Sequence, residues 1–139
     1  MNDTRTGRLT MRLTSPLPEQ LSTPENTAVL RYLAGTSAHS DIAALLCDSV
    51  AGIPGVSCYC TDIERYGFCV AARGTRIFAY ARGDSAIGIR LQPDDHGAAL
   101  EAGAGDIPVG GGCWAGFVLF REASVPLHDW MARAVRAIG

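Results

Sequence analysis

A cluster of arginines and aromatic residues in the middle of the chain has the residue types and spacing to bind a ligand. Its members are Arg73, Arg76, Phe78, Tyr80, Arg82 and Arg90. Alternation along a predicted strand over 76–82 places two arginines and both aromatic rings on one face. Proteins use guanidinium groups beside aromatic rings to stack bases and hold phosphates. The cluster therefore predicts a binding surface, with nucleic acid as one ligand it suits.

Two simpler roles for these residues stay open. Arginines at strand ends also solvate hairpin turns and discourage edge pairing, and the aromatic face can pack under helices as core. Five arginines stand between positions 65 and 90 against a single acid, Asp84, whereas the whole chain has a formal net charge of -2. Any affinity for nucleic acid must therefore come from this local patch and not from global charge.

No motif indicates catalysis or bound metal. The histidines, His39, His96 and His128, lack a nucleophile elbow, a catalytic triad pattern or a His-x-x-x-His pair around them. Acids at the start of a predicted helix, Asp94 and Asp95, are what a helix dipole favours without any catalytic role. We predict no catalytic residues, no metal and no cofactor, and we interpret the chain as non-catalytic.

The cysteines are predicted to pack in the core, because they replace small apolar residues in the strand and helix patterns. They are Cys47, Cys58, Cys60, Cys69 and Cys113. A thiolate cluster on one sheet face is conceivable, but the spacing is not that of structural zinc sites. An odd number of cysteines without a secretory signal predicts a reduced, cytoplasmic protein. No apolar run reaches the roughly 20 residues that span a bilayer, so we expect no membrane partner.

The periodicity predicts one α+β domain over residues 22–139, preceded by a flexible tail over 1–21. Helical periods with capping residues and bounding glycines or prolines predict helices over 22–35, 40–52, 93–103 and 124–138. Alternating patterns predict strands over 56–60, 66–73, 76–82, 86–91 and 113–121. Together they predict an antiparallel meander sheet of about five strands, with the N-terminal and C-terminal helices packed on one face.

The second half of the chain resembles a known group of proteins. The motifs are Gly67-Phe68, "TRIFAYA", "IGIRL", an acidic helix, a glycine-rich turn, "WAGFVLF" and the closing helix "LHDWMARAV". Their order resembles the MmcQ/YjbR-like proteins and the related N-terminal domain of the TfoX competence regulators. The resemblance implies a compact α+β fold with helices against an antiparallel sheet and, in some members, DNA binding. It implies no catalytic residues.

Three functions remain as predictions. The first is a small soluble binding or protein-interaction domain that forms a homo-oligomer, because one sheet face carries more apolar residues than a monomer prefers. The second is a regulatory nucleic-acid-binding domain that uses the arginine-rich sheet. The third is a small-molecule-binding domain or enzyme with a pocket between sheet and helices, lined by Cys58, Tyr59, Cys60 and Trp114.

Overall fold

The computed structural model describes residues 12–14, 17–61, 67–109, 112–118 and 126–138. These residues form seven strands and four α-helices. The strands are β1 (Arg12–Thr14), β2 (Val56–Thr61), β3 (Cys69–Arg73), β4 (Arg76–Arg82), β5 (Ala86–Leu91), β6 (Gly105–Ile107) and β7 (Cys113–Val118). The helices are α1 (Thr27–Leu33), α2 (Ser40–Ser49), α3 (Pro93–Glu101) and α4 (Leu127–Ile138). None of these helices combines the length and apolar character needed to cross a bilayer.

The strands form a single sheet in the order β1-β2-β3-β4-β5-β7-β6. Strands β2 to β5 are a continuous antiparallel meander, β7 pairs antiparallel with β5, and β6 closes that edge. The predicted α+β class and antiparallel meander are confirmed. The two further strands are β6 and β1, which runs parallel to β2. Each has three residues, too few to show a period of two.

The helices cover both faces of the sheet. On the first face, residues of α2 and α4 and Ala99 of α3 share one core with Cys58, Ala79 and Ile89. On the second face, α1 packs on the side of Val70 and Tyr80. The prediction that the N-terminal and C-terminal helices share one face holds for α2 and α4, whereas α1 lies on the opposite face. The meander is apolar on both faces, and each face is buried by a different helix layer.

A bulge in β4 decides which side chain faces which layer. Ala71 of β3 pairs with Ala79, whereas the next residue, Ala72, pairs with Ile77, so Phe78 is the extra residue. Such a bulge places two residues opposite one and breaks the alternation. As a result Phe78 joins Ala79 in the core of the first face, while Tyr80 lies in the core of the second.

The segment before α1 is tied to the sheet by a buried amide. Asn26 is fully buried, and its Nδ2 donates to the carbonyls of Leu21 at 2.7 Å and Thr75 at 2.8 Å. Its Oδ1 accepts from the backbone N–H of Ile77 at 3.0 Å. Two of these bonds satisfy backbone groups of the buried residues Leu21 and Ile77, which would otherwise lack these partners. They hold the start of β4 against the segment that leads into α1.

The ordered domain begins earlier than the predicted boundary at residue 22. Residues 12–14 pair with β2, and Leu21 is fully buried in the second-face core. Burial of the Leu21 side chain holds this part of the chain against the sheet. The segment around Leu21 is too short to show a hydrophobic periodicity, so the sequence did not predict this packing. The rest of the predicted flexible tail, residues 1–11, 15 and 16, lies outside the described residues.

A disulfide corrects the expectation of a fully reduced chain. Cys60 of β2 and Cys69 of β3 are directly opposite in the ladder and are bonded to each other. Both lie in the first-face core, as predicted. Closing so short a loop stabilises a fold by about 2.5 to 3 kcal/mol in the chain-entropy account. Because disulfides are typical of oxidising compartments, the cytoplasmic location loses the support it drew from reduced cysteines and stays a prediction.

Candidate functional site

The predicted aromatic platform does not form. Phe78 is 0% exposed and Tyr80 is 2% exposed, and they lie in the cores of opposite faces. A ring can stack on a base only where the base can reach it. The predicted set of six residues is therefore divided, with Arg76, Phe78 and Arg90 at one cavity and Tyr80 and Arg82 at another. The remaining member, Arg73, lines neither.

The first of these we call the sheet-end cavity. It has a volume of about 340 Å³ and lies where β4 begins, β5 ends and β7 begins, next to the last turn of α4. Its described lining consists of Arg76, Phe78, Arg90, Leu91, Gln92, Pro93, Gly112, Cys113, Ala134, Ala137 and Ile138. The apolar members form a floor, and both charged members are arginines. No carboxylate is among these described lining residues.

Two close contacts position the arginines of this cavity. Arg76 Nη2 donates to Glu25 Oε2 at 2.8 Å, which orients the side chain and uses one of its five N–H donors. Arg90 lies against Gly112, where a Cβ would come within 2.7 Å of its Nε. Glycine at 112 therefore gives the Arg90 guanidinium room at the cavity.

We call the second region the aromatic groove. It has a volume of about 700 Å³ on the second face, over β5, β7 and β6. One side carries Tyr32, Tyr80 and Arg82, and the opposite side carries Ile107. Between them lie small residues, Ala86, Gly105 and Gly116. The remaining described lining is Gly83, Asp84, Ser85, Ile87, Gly103, Phe117 and Val118.

The wall of the aromatic groove is a stack of rings. The Tyr80 ring centroid is 5.8 Å from that of Tyr32 and 5.7 Å from that of Trp114. The Arg82 guanidinium carbon lies 4.9 Å from the Tyr32 ring centroid, within range of a cation–π contact. Burial, and after it the neighbouring Tyr32 hydroxyl, raise the pKa of Tyr80, while the Arg82 charge opposes this shift. Tyr80 is therefore a neutral hydroxyl at physiological pH.

The remaining thiols do not form a reactive centre. Cys47 of α2 and Cys58 of β2 are buried next to each other in the first-face core. A hydrogen bond with Cys47, and after it burial, raise the pKa of the Cys58 thiol. A thiol held in its protonated form is a poor nucleophile and metal ligand. Cys113 is a free cysteine that lines the sheet-end cavity, and neither the spacing nor the strand pattern of the sequence indicated that position.

The histidines have structural surroundings. His39 caps α2, and its Nδ1 accepts from the Asp41 N–H at 3.1 Å. His96 Nε2 lies 3.0 Å from Asp106 Oδ1. In the part of the chain that the structure describes, no group of three or more histidine, cysteine or acidic side chains is arranged to hold a metal ion.

The chain was compared with protein families, curated proteins and solved structures. None of them matches it. The resemblance to the MmcQ/YjbR-like proteins therefore stays a prediction. The function has to be argued from the two cavities and their side chains.

Proposed function

We propose that this chain is a non-catalytic binding domain for a small molecule with an anionic group and an apolar body, and that the ligand binds in the sheet-end cavity. The observation that carries the proposal is the cavity's described lining, which combines two arginines with apolar side chains and includes no carboxylate. A volume of about 340 Å³ is in the range of small-molecule sites.

The two kinds of lining match the two parts of such a ligand. Guanidinium groups present paired N–H donors that fit a carboxylate or phosphate. Pro93, with Ala137 and Ile138 of the last turn of α4, offers an accessible surface for the apolar part. The bond from Arg76 to Glu25 is between partly exposed groups, so a ligand anion can compete with it at small cost.

The structure favours this function over the other two predicted from sequence. Nucleic-acid binding relied on exposed rings beside arginines, and both rings are buried. Self-association relied on an uncovered apolar sheet face, whereas the large apolar side chains described as exposed are Leu45, Leu100 and Val118, on three different elements. Homo-oligomerisation and a cytoplasmic location therefore stay predictions from the sequence and are not part of this proposal.

Calorimetric titration with charged and neutral probes of the same shape tests the proposal. Phenylacetate and phenyl phosphate should bind saturably, and neutral phenylacetamide should bind at least tenfold more weakly, because it lacks the anion. Arg76→Gln and Arg90→Gln should each weaken phenylacetate binding about tenfold, for the loss of one charge-assisted hydrogen bond. Arg73→Gln, an arginine outside both cavities, is the matched control and should stay within about twofold.

A substitution that should strengthen phenylacetate binding provides a further test. Glu25→Gln removes the carboxylate that competes for Arg76 and should strengthen phenylacetate binding about two- to fivefold. Ala137→Phe should block the cavity and abolish binding, with the thermal unfolding curve showing that the fold is retained. Equal binding of phenylacetate and phenylacetamide, or an unchanged dissociation constant in Arg76→Gln, would overturn the proposal.

A further inference from the structure

The helix α3 has the fewest buried residues of the four helices. Its buried residue is Ala99, whereas α2 and α4 each bury five residues. Gly97 lies in the middle of α3, and glycine has a low helix propensity. A helix of nine residues is also too short to be stable in water without tertiary packing. The stability of α3 therefore depends on a few contacts with the rest of the fold.

Two polar contacts attach α3 to its neighbours. Arg133 of α4 donates from Nη1 to Asp95 Oδ1 at 3.2 Å, and its guanidinium carbon lies 4.7 Å from the Trp130 ring centroid. His96 Nε2 lies 3.0 Å from Asp106 Oδ1 of β6. One partner in each contact is well exposed, since the Arg133 side chain is 41% and the Asp106 side chain 71% accessible. Contacts between exposed charged groups contribute little to stability, so these two orient α3 without holding it strongly.

The first turn of α3 lies at the sheet-end cavity. Gln92 is the N-cap of the helix and Pro93 is its first residue, and both line the cavity. The residue before them, Leu91, ends β5 and lines the cavity as well. Displacement of α3 therefore changes the wall of the cavity, while Arg76 and Arg90 stay on the sheet. A ligand that contacts Pro93 binds the closed helix in preference and shifts the equilibrium towards it.

We propose that α3 opens locally from the first face while the sheet and the other helices stay folded, and that the ligand of the sheet-end cavity holds it closed. Segments with few buried apolar contacts open most easily, and α3 is that segment among the four helices. The inference rests on the function proposed above and adds its regulation. Because coupling is reciprocal, a change that loosens α3 weakens ligand binding, and the ligand in turn protects α3.

Amide hydrogen exchange, followed by NMR on the full chain, tests the opening without a ligand. The hydrogen-bonded amides of α3 should exchange at least about 100-fold faster than those of α2 and α4, because local opening needs less free energy than global unfolding. Arg133→Gln removes the contact with Asp95 and should speed the exchange of α3 about two- to fivefold. Arg136→Gln changes an exposed arginine of the same helix, α4, and should leave it unchanged. Equal protection of α3 and α2 would overturn the proposal.

The same measurement with an added ligand tests the coupling between α3 and the cavity. Phenylacetate at about twenty times its dissociation constant should slow the exchange of α3 about twentyfold, because the open form does not bind it. Neutral phenylacetamide at the same concentration should slow the exchange by less than about threefold, since it binds at least about tenfold more weakly.

Alkylation of Cys113 separates this inference from the function on which it rests. Cys113 is a half-buried free thiol that lines the sheet-end cavity, whereas Cys47 and Cys58 are buried. Phenylacetate in the cavity should therefore slow the reaction of Cys113 with iodoacetamide, by up to about twentyfold at the same concentration. Slowed alkylation with unchanged exchange of α3 overturns only the closure of α3 by the ligand. Alkylation at an unchanged rate overturns the proposed function, and the closure of α3 with it.

Discussion

The sheet-end cavity and the aromatic groove both take side chains from β4, yet they differ in charge, floor and wall. The cavity has two arginines and an apolar floor built from side chains such as Phe78 and Ile138. The described lining of the groove has one cation, Arg82, and one acid, Asp84, with small residues such as Ala86 and Gly105 and with Tyr80 in its wall. One strand thus equips two regions with opposite chemistry.

The difference originates in the bulge at Phe78. In an unbroken strand, residues two apart share a face, and Phe78 would lie beside Tyr80. The extra residue turns Phe78 to the layer of α2 and α4 and leaves Tyr80 on the layer of α1. The bulge therefore places Phe78 and Tyr80 on opposite faces of the sheet, whereas regular alternation would place them on the same face. Each ring is buried in the core of its own face.

The largest expected effect tests the burial of Phe78. Phe78→Ala should lower the free energy of unfolding by about 3 to 5 kcal/mol, since it removes a fully buried ring and leaves a cavity in the first-face core. Urea unfolding followed by circular dichroism measures this loss. If Phe78 stood on an exposed platform, the loss would be within about 0.5 kcal/mol.

The control for this substitution is an apolar residue at the groove. Val118 is 57% exposed, and Val118→Ala should change the free energy of unfolding by no more than about 0.5 kcal/mol. A loss below about 1 kcal/mol for Phe78→Ala would contradict the burial of Phe78, because a core position of this size does not tolerate truncation so cheaply.

A second, smaller effect tests the close packing of the Tyr80 ring against Gly88. Gly88→Ala places a Cβ in the space of the Tyr80 ring and should lower the free energy of unfolding by about 1 to 3 kcal/mol. Gly97 of α3 is the matched control because no atom lies within 4 Å of its Cβ position. Gly97→Ala should stabilise the fold by about 0.5 to 1 kcal/mol, through helix propensity.

Thermal and urea unfolding measure the expected loss of stability in Gly88→Ala and the expected gain in Gly97→Ala. An unchanged free energy of unfolding in Gly88→Ala would contradict the close packing of Tyr80 against Gly88, since the ring would then have room to move out of the groove wall. A destabilising Gly97→Ala would show instead that α3 is held differently from the helix described.

Much of the fold could be predicted from periodicity, and the division of the site could not. The hairpin over β3 and β4 follows from alternation and the Gly74-Thr75 turn, and α4 follows from its apolar stripe. The bulge has no local mark, because it is set by how β4 pairs with β3 and by which helices cover each ring. The bond between Arg76 and Glu25 is likewise a contact between residues 51 positions apart.

The glycines that Tyr80 and Ile107 cover have a signal in the sequence, whereas the disulfide has none. Gly88 and Gly116 lie inside strands β5 and β7, and a glycine inside a strand indicates close approach of another group. That signal fits the packing of Tyr80 over Gly88 and of Ile107 over Gly116. The Cys60–Cys69 disulfide lacks a local mark, since only the register of β2 and β3 brings the two residues opposite each other.

The smallest expected effect is the pH dependence that Tyr80 confers on stability. Its pKa is raised in the folded state, chiefly by burial and then by the Tyr32 hydroxyl, whereas an unfolded tyrosine ionises near pH 10. Above about pH 10 the unfolded chain therefore loses this proton first and gains stability relative to the folded one. The free energy of unfolding should fall with pH there, by up to about 1.4 kcal/mol per pH unit for one proton.

Tyr80→Phe isolates this contribution because it keeps the ring in the groove wall and removes the ionisable hydroxyl. Urea unfolding at intervals from pH 8 to above pH 10 should give parallel curves for the two proteins below about pH 10 and a steeper decline for the wild type above it. Absorbance at 295 nm should show Tyr80 ionising only as the wild type unfolds. Parallel curves throughout would mean that the Tyr80 hydroxyl reaches water, which would contradict the burial of Tyr80 in the wall of the groove.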